Sequence, residues 1–139
     1  MIGYVKVLTA NDLGITGSHQ SGICIPKKAT ALVSFLPTLR SNIKNPSTPL
    51  ICVDTHGREY TFRYIHYNNK LHEASGTRDE YRITRTTEFF RIETAQPGDQ
   101  FEIYKTDQTA TYQIRLVRQK PSSELPSAPI VLRGWRRIH

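Results

Sequence analysis

Turn-forming residues cut this chain into short pieces. Gly22 to Ile25, Leu50 to Val53 and Tyr60 to Tyr67 are closed off by proline, aspartate and asparagine, Ile2 to Leu8 runs into the loop Thr9-Ala10-Asn11-Asp12, and none is long enough for a substantial helix. Within the pieces, residues alternate between apolar and polar or form a brief apolar run, with a β-branched and aromatic bias, which is the pattern of half-buried strands. Asp54-Thr55-His56-Gly57-Arg58 has the turn chemistry to fold Tyr60–Tyr67 back on Leu50–Val53 as a hairpin. Gln96-Pro97-Gly98-Asp99 launches a further strand, Gln100 to Tyr104, and Ala110 to Val117 alternates as its partner. Tyr60, Phe62 and Tyr64 share one face and are expected in the core.

Two segments read as helices. Lys27 to Leu36 places Ala29, Leu32, Val33 and Leu36 at three- and four-residue steps and is closed by Pro37, so it is expected to plug one end of the sheet. Thr86 reads as the N-cap of a second short helix, Thr87–Arg91. Strands without βαβ spacing, two short helices and 139 residues predict one mostly β (α+β) domain, a seven-stranded, mixed, largely antiparallel barrel over residues 1–118. From Gln119 the composition shifts to KPSSELPSAP and then to a basic Arg133-Gly134-Trp135-Arg136-Arg137. Residues 119–139 therefore read as a linker and tail leading to further chain, with Trp135 either a docking element or the first turn of the next domain.

Nineteen Lys and Arg against twelve Asp and Glu leave a charge of +7, which suits an anionic partner but also serves solubility. Residue placement has to decide. The loop Thr9 to Gly22 is too long for a tight turn and holds three glycines that let backbone N–H groups approach a phosphate. Asn11, Thr16, Ser18, His19 and Gln20 supply donors and acceptors. Asn68 to Arg85 gathers Lys70, Arg78, Arg82 and Arg85 around Asp79 and Glu80. A loop that only holds phosphate needs cations, whereas one that reads a C·G pair needs arginine for guanine O6 and N7 and a carboxylate for cytosine N4. Taken alone, the first loop reads more readily as ordinary surface turns and the second as a solvated salt-bridge cluster.

The first loop, LTANDLGITGSHQSGICIP, and the second, YNNKLHEASGTRDEYRITR, resemble the paired signatures of the amino-terminal effector domain of EcoRII-type restriction endonucleases, in the same order. TTEFFRIETAQPGDQFEIYK is similar to the helix, turn and strand of plant-type DNA-binding pseudobarrels. The resemblance implies a seven-stranded DNA-binding pseudobarrel that grips double-stranded DNA in the major groove with two arms, at 5′-CCWGG (W being A or T). It implies that His19 of the first arm and Arg78, Glu80 and Arg82 of the second contact DNA. Asp79 stands where an asparagine is familiar, Cys24 replaces an aromatic contact and Gly76 a contacting lysine. Lys27, Lys28, Arg63, Lys70 and Arg85 are candidates for phosphate contacts. Cleavage would belong to a separate carboxy-terminal nuclease domain, the partner of this domain in the longer protein.

Catalytic chemistry within these residues is not expected. The nearest approach to a metal-dependent nuclease set is Asp99, Glu102 and Lys105, at the wrong spacings for one, and this small-nuclease reading is the alternative. His56, His66 and His72 lack metal-ligand spacing, and Cys24 and Cys52 stand alone, as buried free thiols. No cofactor is expected for DNA binding, Mg²⁺ being required only by a separate nuclease domain. No apolar run is long enough for a membrane helix, so the expected location is cytoplasmic and no membrane partner is expected.

Overall fold

The computed structural model describes residues 2–15, 22–105, 110–119 and 134–138. Among these residues eight strands form one sheet: β1 (Ile2–Val7), β2 (Ile23–Ile25), β3 (Ser47–Val53), β4 (Glu59–Tyr67), β5 (Glu80–Thr84), β6 (Gln100–Lys105), β7 (Tyr112–Val117) and β8 (Trp135–Arg137). Their order is β2-β5-β4-β3-β7-β6-β1-β8. Every neighbouring pair is antiparallel except β3 and β7, which run parallel through only Cys52–Tyr112 and Val53–Gln113. The sheet curls until its two edge strands approach. There Trp135 of β8 donates its indole N–H to the carbonyl oxygen of Cys24 in β2, at 3.1 Å. A side chain, rather than a ladder, bridges the gap, which is what makes this an open pseudobarrel.

The expected mostly β pseudobarrel is the observed one, with eight strands instead of seven and three short helices instead of two. The eighth strand comes from the basic tail, where Trp135 is buried and pairs with Lys6 of β1. The third helix, α2 (Asn69–His72), lies inside the second loop, and Glu80–Thr84 of that loop is a strand. Only Tyr81 and Ile83 of β5 mark its inner face, too few residues to register as alternation. β3 begins earlier than its prolines suggest, because it pairs with β4 along its whole length while β7 reaches only its last two residues. A proline at position 49 therefore interrupts no ladder.

The helix in 27–36 is shorter than its periodicity, spanning α1 (Thr30–Phe35). Lys27 and Lys28 instead form a turn in which the Ala29 N–H donates to the Pro26 carbonyl, at 3.0 Å. Helix α3 (Thr87–Ile92) does start after Thr86, but Thr86 is buried and makes no side-chain cap hydrogen bond. Both helices push aromatic side chains into the barrel. Phe35 meets Tyr4 and Tyr112 edge-on, and Phe89 meets Tyr60, Phe62 and Phe101. Tyr60, Phe62 and Tyr64 face the core as expected. Cys52 is buried and free, whereas Cys24 is a free thiol only half-buried, since it points away from the core between the inward Ile23 and Ile25.

Trp135 packs edge-on against Phe101 with ring centroids 6.4 Å apart, so its removal opens a cavity at the barrel gap. Trp135→Ala is expected to lower the unfolding free energy by roughly 3–5 kcal/mol, read as a lowered urea midpoint. An unchanged midpoint would show that β8 contributes nothing to the domain.

Candidate nucleic-acid interface

The two loops singled out in the sequence are anchored to the sheet by different means. The first leaves β1 beside a buried ion pair, Lys6 Nζ to Asp12 Oδ2 at 2.7 Å. Asp12 also accepts the Thr9 N–H, while Thr9 Oγ1 accepts the Asp12 N–H. This reciprocal cap fixes the turn over residues 10–15, where Asn11 is exposed. The loop rejoins the sheet at Gly22, with φ +91° and so close to β5 that a Cβ would lie 2.2 Å from the Ile83 carbonyl oxygen. Only glycine passes there. Thr16, Ser18, His19 and Gln20 lie outside the described residues.

The second loop is closed at its base by asparagines. Asn68 is fully buried, its side chain donating to the Ser41 and Ile43 carbonyls and accepting the Asn45 N–H. Asn69 Oδ1 accepts the Arg78 N–H at 2.8 Å, and the Lys70 N–H donates to the Arg78 carbonyl at 3.0 Å. A Cβ on Gly76 would meet the Asn69 carbonyl oxygen at 2.2 Å. The loop therefore passes against its own base at this point, which a lysine here would prevent without a shift of backbone.

Strand alternation then sorts the charged residues of this loop onto two faces. Tyr81 and Ile83 turn toward the core, so Glu80 and Arg82 turn away from it, and Arg78 joins them by its contacts. Arg78 donates from Nε and Nη2 to Glu80 Oε1, at 2.8 and 2.6 Å, with its guanidinium 3.9 Å from the centroid of the Tyr67 ring. Glu80 Oε2 is 3.4 Å from Arg82 Nη2. Burial pushes the Glu80 carboxyl up, but Arg78 and Arg82 more than offset it and hold the group below its ordinary value. Arg82 is itself buried, opposite Cys24 on β2 and Ile65 on β4.

Asp79 goes to the other face, where Oδ1 is 2.7 Å from His66 Nε2 and Oδ2 accepts from Lys27 Nζ at 2.9 Å. His66 is buried and stacked on Tyr81, centroids 4.2 Å apart. The His66 and Lys27 hydrogen bonds hold the Asp79 carboxyl below its usual range. Asp79 thus ties the loop to β4 and α1 and is separated from Arg78 and Glu80. Lys70 is exposed on α2, and Arg85 is exposed just beyond β5.

The sequence reading missed Tyr67, Asn68, Asn69 and His66 as organisers of this region. Their one visible signal is the Asn-Asn pair at the end of an aromatic strand. The Asp99, Glu102 and Lys105 set is not assembled. Glu102 and Lys105 lie on opposite faces of β6, Asp99 accepts the Gln96 and Gln119 N–H groups, and Glu102 accepts from Tyr104 and Arg115. Among the described residues no three His, Cys, Asp or Glu side chains are grouped to hold a metal ion. No helix among them is long and apolar enough to cross a membrane.

A curled, open, mostly β sheet with one loop joining β1 to β2 and a second joining β4 to β5 defines a B3-type DNA-binding fold. The Arabidopsis FUS3–DNA complex has this fold, with a TM-score of 0.65 at 22% identity, covering 86% of this chain and 100% of that one. The B3 domain of UbaLAI restriction endonuclease, solved with cognate DNA, has a TM-score of 0.58 at 19% identity, covering 98% of this chain and 85% of that one. Residues 1–94 match the family described as the N-terminal domain of restriction endonuclease EcoRII. The chain belongs to that family. It is 38% identical over 94 residues to the type II restriction enzyme EcoRII of Escherichia coli, covering 64% of this chain and 22% of that protein. The match thus spans about a fifth of the relative's length.

Both Asp79 and Glu80 titrate lower when folded than their ordinary 3.8 and 4.5, so in acid the unfolded chain binds more protons than the folded one. Their contribution to stability is complete above those ordinary values and is lost as pH falls through the lowered ones. Asp79→Asn is expected to flatten the acid-side loss of stability below about pH 4, followed by urea unfolding across that range. A mutant profile parallel to the wild type would contradict the His66–Asp79–Lys27 arrangement.

Proposed function

We propose that this chain is a sequence-specific double-stranded DNA-binding domain, directed at 5′-CCWGG, which serves as the effector or targeting domain of a type II restriction endonuclease whose cleavage chemistry lies in a separate carboxy-terminal nuclease domain. The observation that carries the reading is the geometry of Arg78 and Glu80. Glu80 engages one edge of the Arg78 guanidinium, through Nε and Nη2, and leaves the Nη1/Nη2 end of the fork for a second planar acceptor. Guanine offers O6 and N7 in that spacing in the major groove. Glu80 Oε2, 3.4 Å from Arg82 Nη2, has a second lone pair as acceptor for the N4 amino group of the paired cytosine. One arginine and one carboxylate, locked in register by each other and by the Tyr67 ring, therefore match both halves of a C·G pair.

Preorganisation is the physical advantage. An arginine on an open loop loses side-chain freedom when it reaches a base, whereas Arg78 is already fixed by two hydrogen bonds and a ring. Arg82 orients Glu80 from the sheet side. In this reading Asn11, Thr16, Ser18, His19 and Gln20 act from the first arm on the other side of the site, and Lys70 adds phosphate attraction. DNA binding needs no cofactor, and Mg²⁺ would serve only the nuclease domain. Family membership supports an intracellular, DNA-associated setting.

The test is a fluorescence-anisotropy titration of the chain against a CCAGG duplex and a duplex with that site scrambled, at about 0.15 M salt, with a preference of about a hundredfold or more expected. Arg78→Lys keeps the charge and loses the fork, so it is expected to cost roughly 1–3 kcal/mol on the CCAGG duplex and little on the scrambled one. Glu80→Gln is expected to relax discrimination at the cytosine position by a similar amount. Equal binding of both duplexes by the wild type would end the sequence-specific reading.

A further inference from the structure

Arg63 and Arg85 line one groove of about 330 Å³ together with Ser47, Thr48, Pro49 and Thr61. Ser47 and Thr61 share the outward face with Arg63, whereas Thr48 pairs with the inward Tyr64, and Thr61 and Arg85 also border a neighbouring cavity lined by Glu59 and Glu88. Among the described residues neither arginine is paired with an acid, whereas Arg78, Arg82, Arg115 and Arg118 all are. Arg63 is half-buried and Arg85 exposed, and two arginines outside any ion pair beside hydroxyl donors are the chemistry of a tetrahedral oxyanion site.

The backbone gives a second, independent sign. Arg85 has φ +62°, a left-handed conformation that is unfavourable for a side-chain-bearing residue and that glycine or asparagine adopts more easily. The residue sits directly after β5, and its side chain lies along the groove at Thr61 and Arg63 of β4. Strain of this kind at an exposed arginine fits a site that is used.

The position agrees with the proposed DNA face. Arg63 pairs with Thr84, Ile65 with Arg82 and Tyr67 with Glu80, so Arg63 lies on the same face of the sheet as Glu80. Four residues separate Arg63 from Tyr67, about 14 Å at the ~3.4 Å rise of an antiparallel strand. That is close to the width of the major groove, about 12 Å.

We propose that the Arg63–Arg85 groove seats a backbone phosphate of the bound duplex, on the strand bordering the major groove that Arg78 and Glu80 enter. The assignment rests on the DNA-binding reading above and adds to it a contact that contributes affinity without sequence information. A phosphodiester and a free phosphate share this chemistry, and the test separates them.

The experiment compares the wild-type chain with Arg63→Gln and Arg85→Asn on the CCAGG and scrambled duplexes between about 0.05 and 0.2 M salt. Each substitution is expected to weaken both duplexes by the same factor, on the order of three- to tenfold, and to lower the slope of log affinity on log salt by about 0.9. The ratio between the duplexes stays at its wild-type value. Arg85→Asn is also expected to melt no lower than the wild type, because asparagine accepts the left-handed backbone. Unchanged affinity and slope in both variants would overturn the proposal. So would wild-type-like DNA binding together with inorganic phosphate raising the melting temperature of the wild type but not of the variants, which would make the seat one for free phosphate. If instead the wild type binds both duplexes equally, the sequence-specific reading fails while the phosphate seat is still judged by the slopes.

Discussion

Among the described residues, two ladder pairs are all that join the halves of this sheet by backbone. β3 and β7 meet through Cys52–Tyr112 and Val53–Gln113, and everything on the β7-β6-β1-β8 side is otherwise connected to the β2-β5-β4-β3 side by side chains and loops. So short a parallel ladder cannot hold two four-stranded sheets in a fixed relation. The aromatic core does so instead. Phe35 of α1 bridges Tyr4 and Tyr112, Phe62 of β4 meets Phe101 of β6, and Phe89 of α3 touches Tyr60, Phe62 and Phe101. At the opposite gap Trp135 reaches the Cys24 carbonyl. The Cys52 thiol at the seam is pushed up to about 12 by burial, so it stays protonated and serves as packing.

That construction explains where recognition chemistry can sit. Ring packing inside the barrel fixes β4, β5 and β2, and these carry the charged residues on their outward positions. Glu80 and Arg82 are held by the pleat of β5, and Arg78 by Glu80 and the Tyr67 ring. The loops add what the sheet lacks, and each is tied to the sheet by a buried polar group, Asp12 with Lys6 in one and Asn68 in the other. Buried polar groups of this kind are costly to leave unpaired, which makes the loop geometry specific rather than merely stable.

The segments legible in the sequence were those with strong local signals. The hairpin around His56-Gly57, the inward Tyr60, Phe62 and Tyr64, and the strand after Pro97-Gly98-Asp99 come from alternation and turn chemistry. β5 and β8 were not legible, because each has few apolar residues and gains its strand character from partners distant in sequence. In the candidate site, the residue types of Arg78, Asp79 and Glu80 were visible as a cluster. Their division was not, since Asp79 is drawn to His66 and Lys27 while Arg78 and Glu80 bind each other.

Local pattern was enough to specify a mostly β domain, its family and the loops that carry charged chemistry. These depend on alternation, on turn residues and on two motifs that survive being read one residue at a time. Which of the charges are spent on one another, and which remain open, is set only when the chain is folded. Arg115 and Arg118 find acids on other strands and loops, whereas Arg63 and Arg85, from different parts of the sheet, converge on one groove outside any ion pair among the described residues. Charge pairing is a matter of distance in space, and in a curled antiparallel sheet residues twenty positions apart become neighbours while adjacent ones face opposite sides.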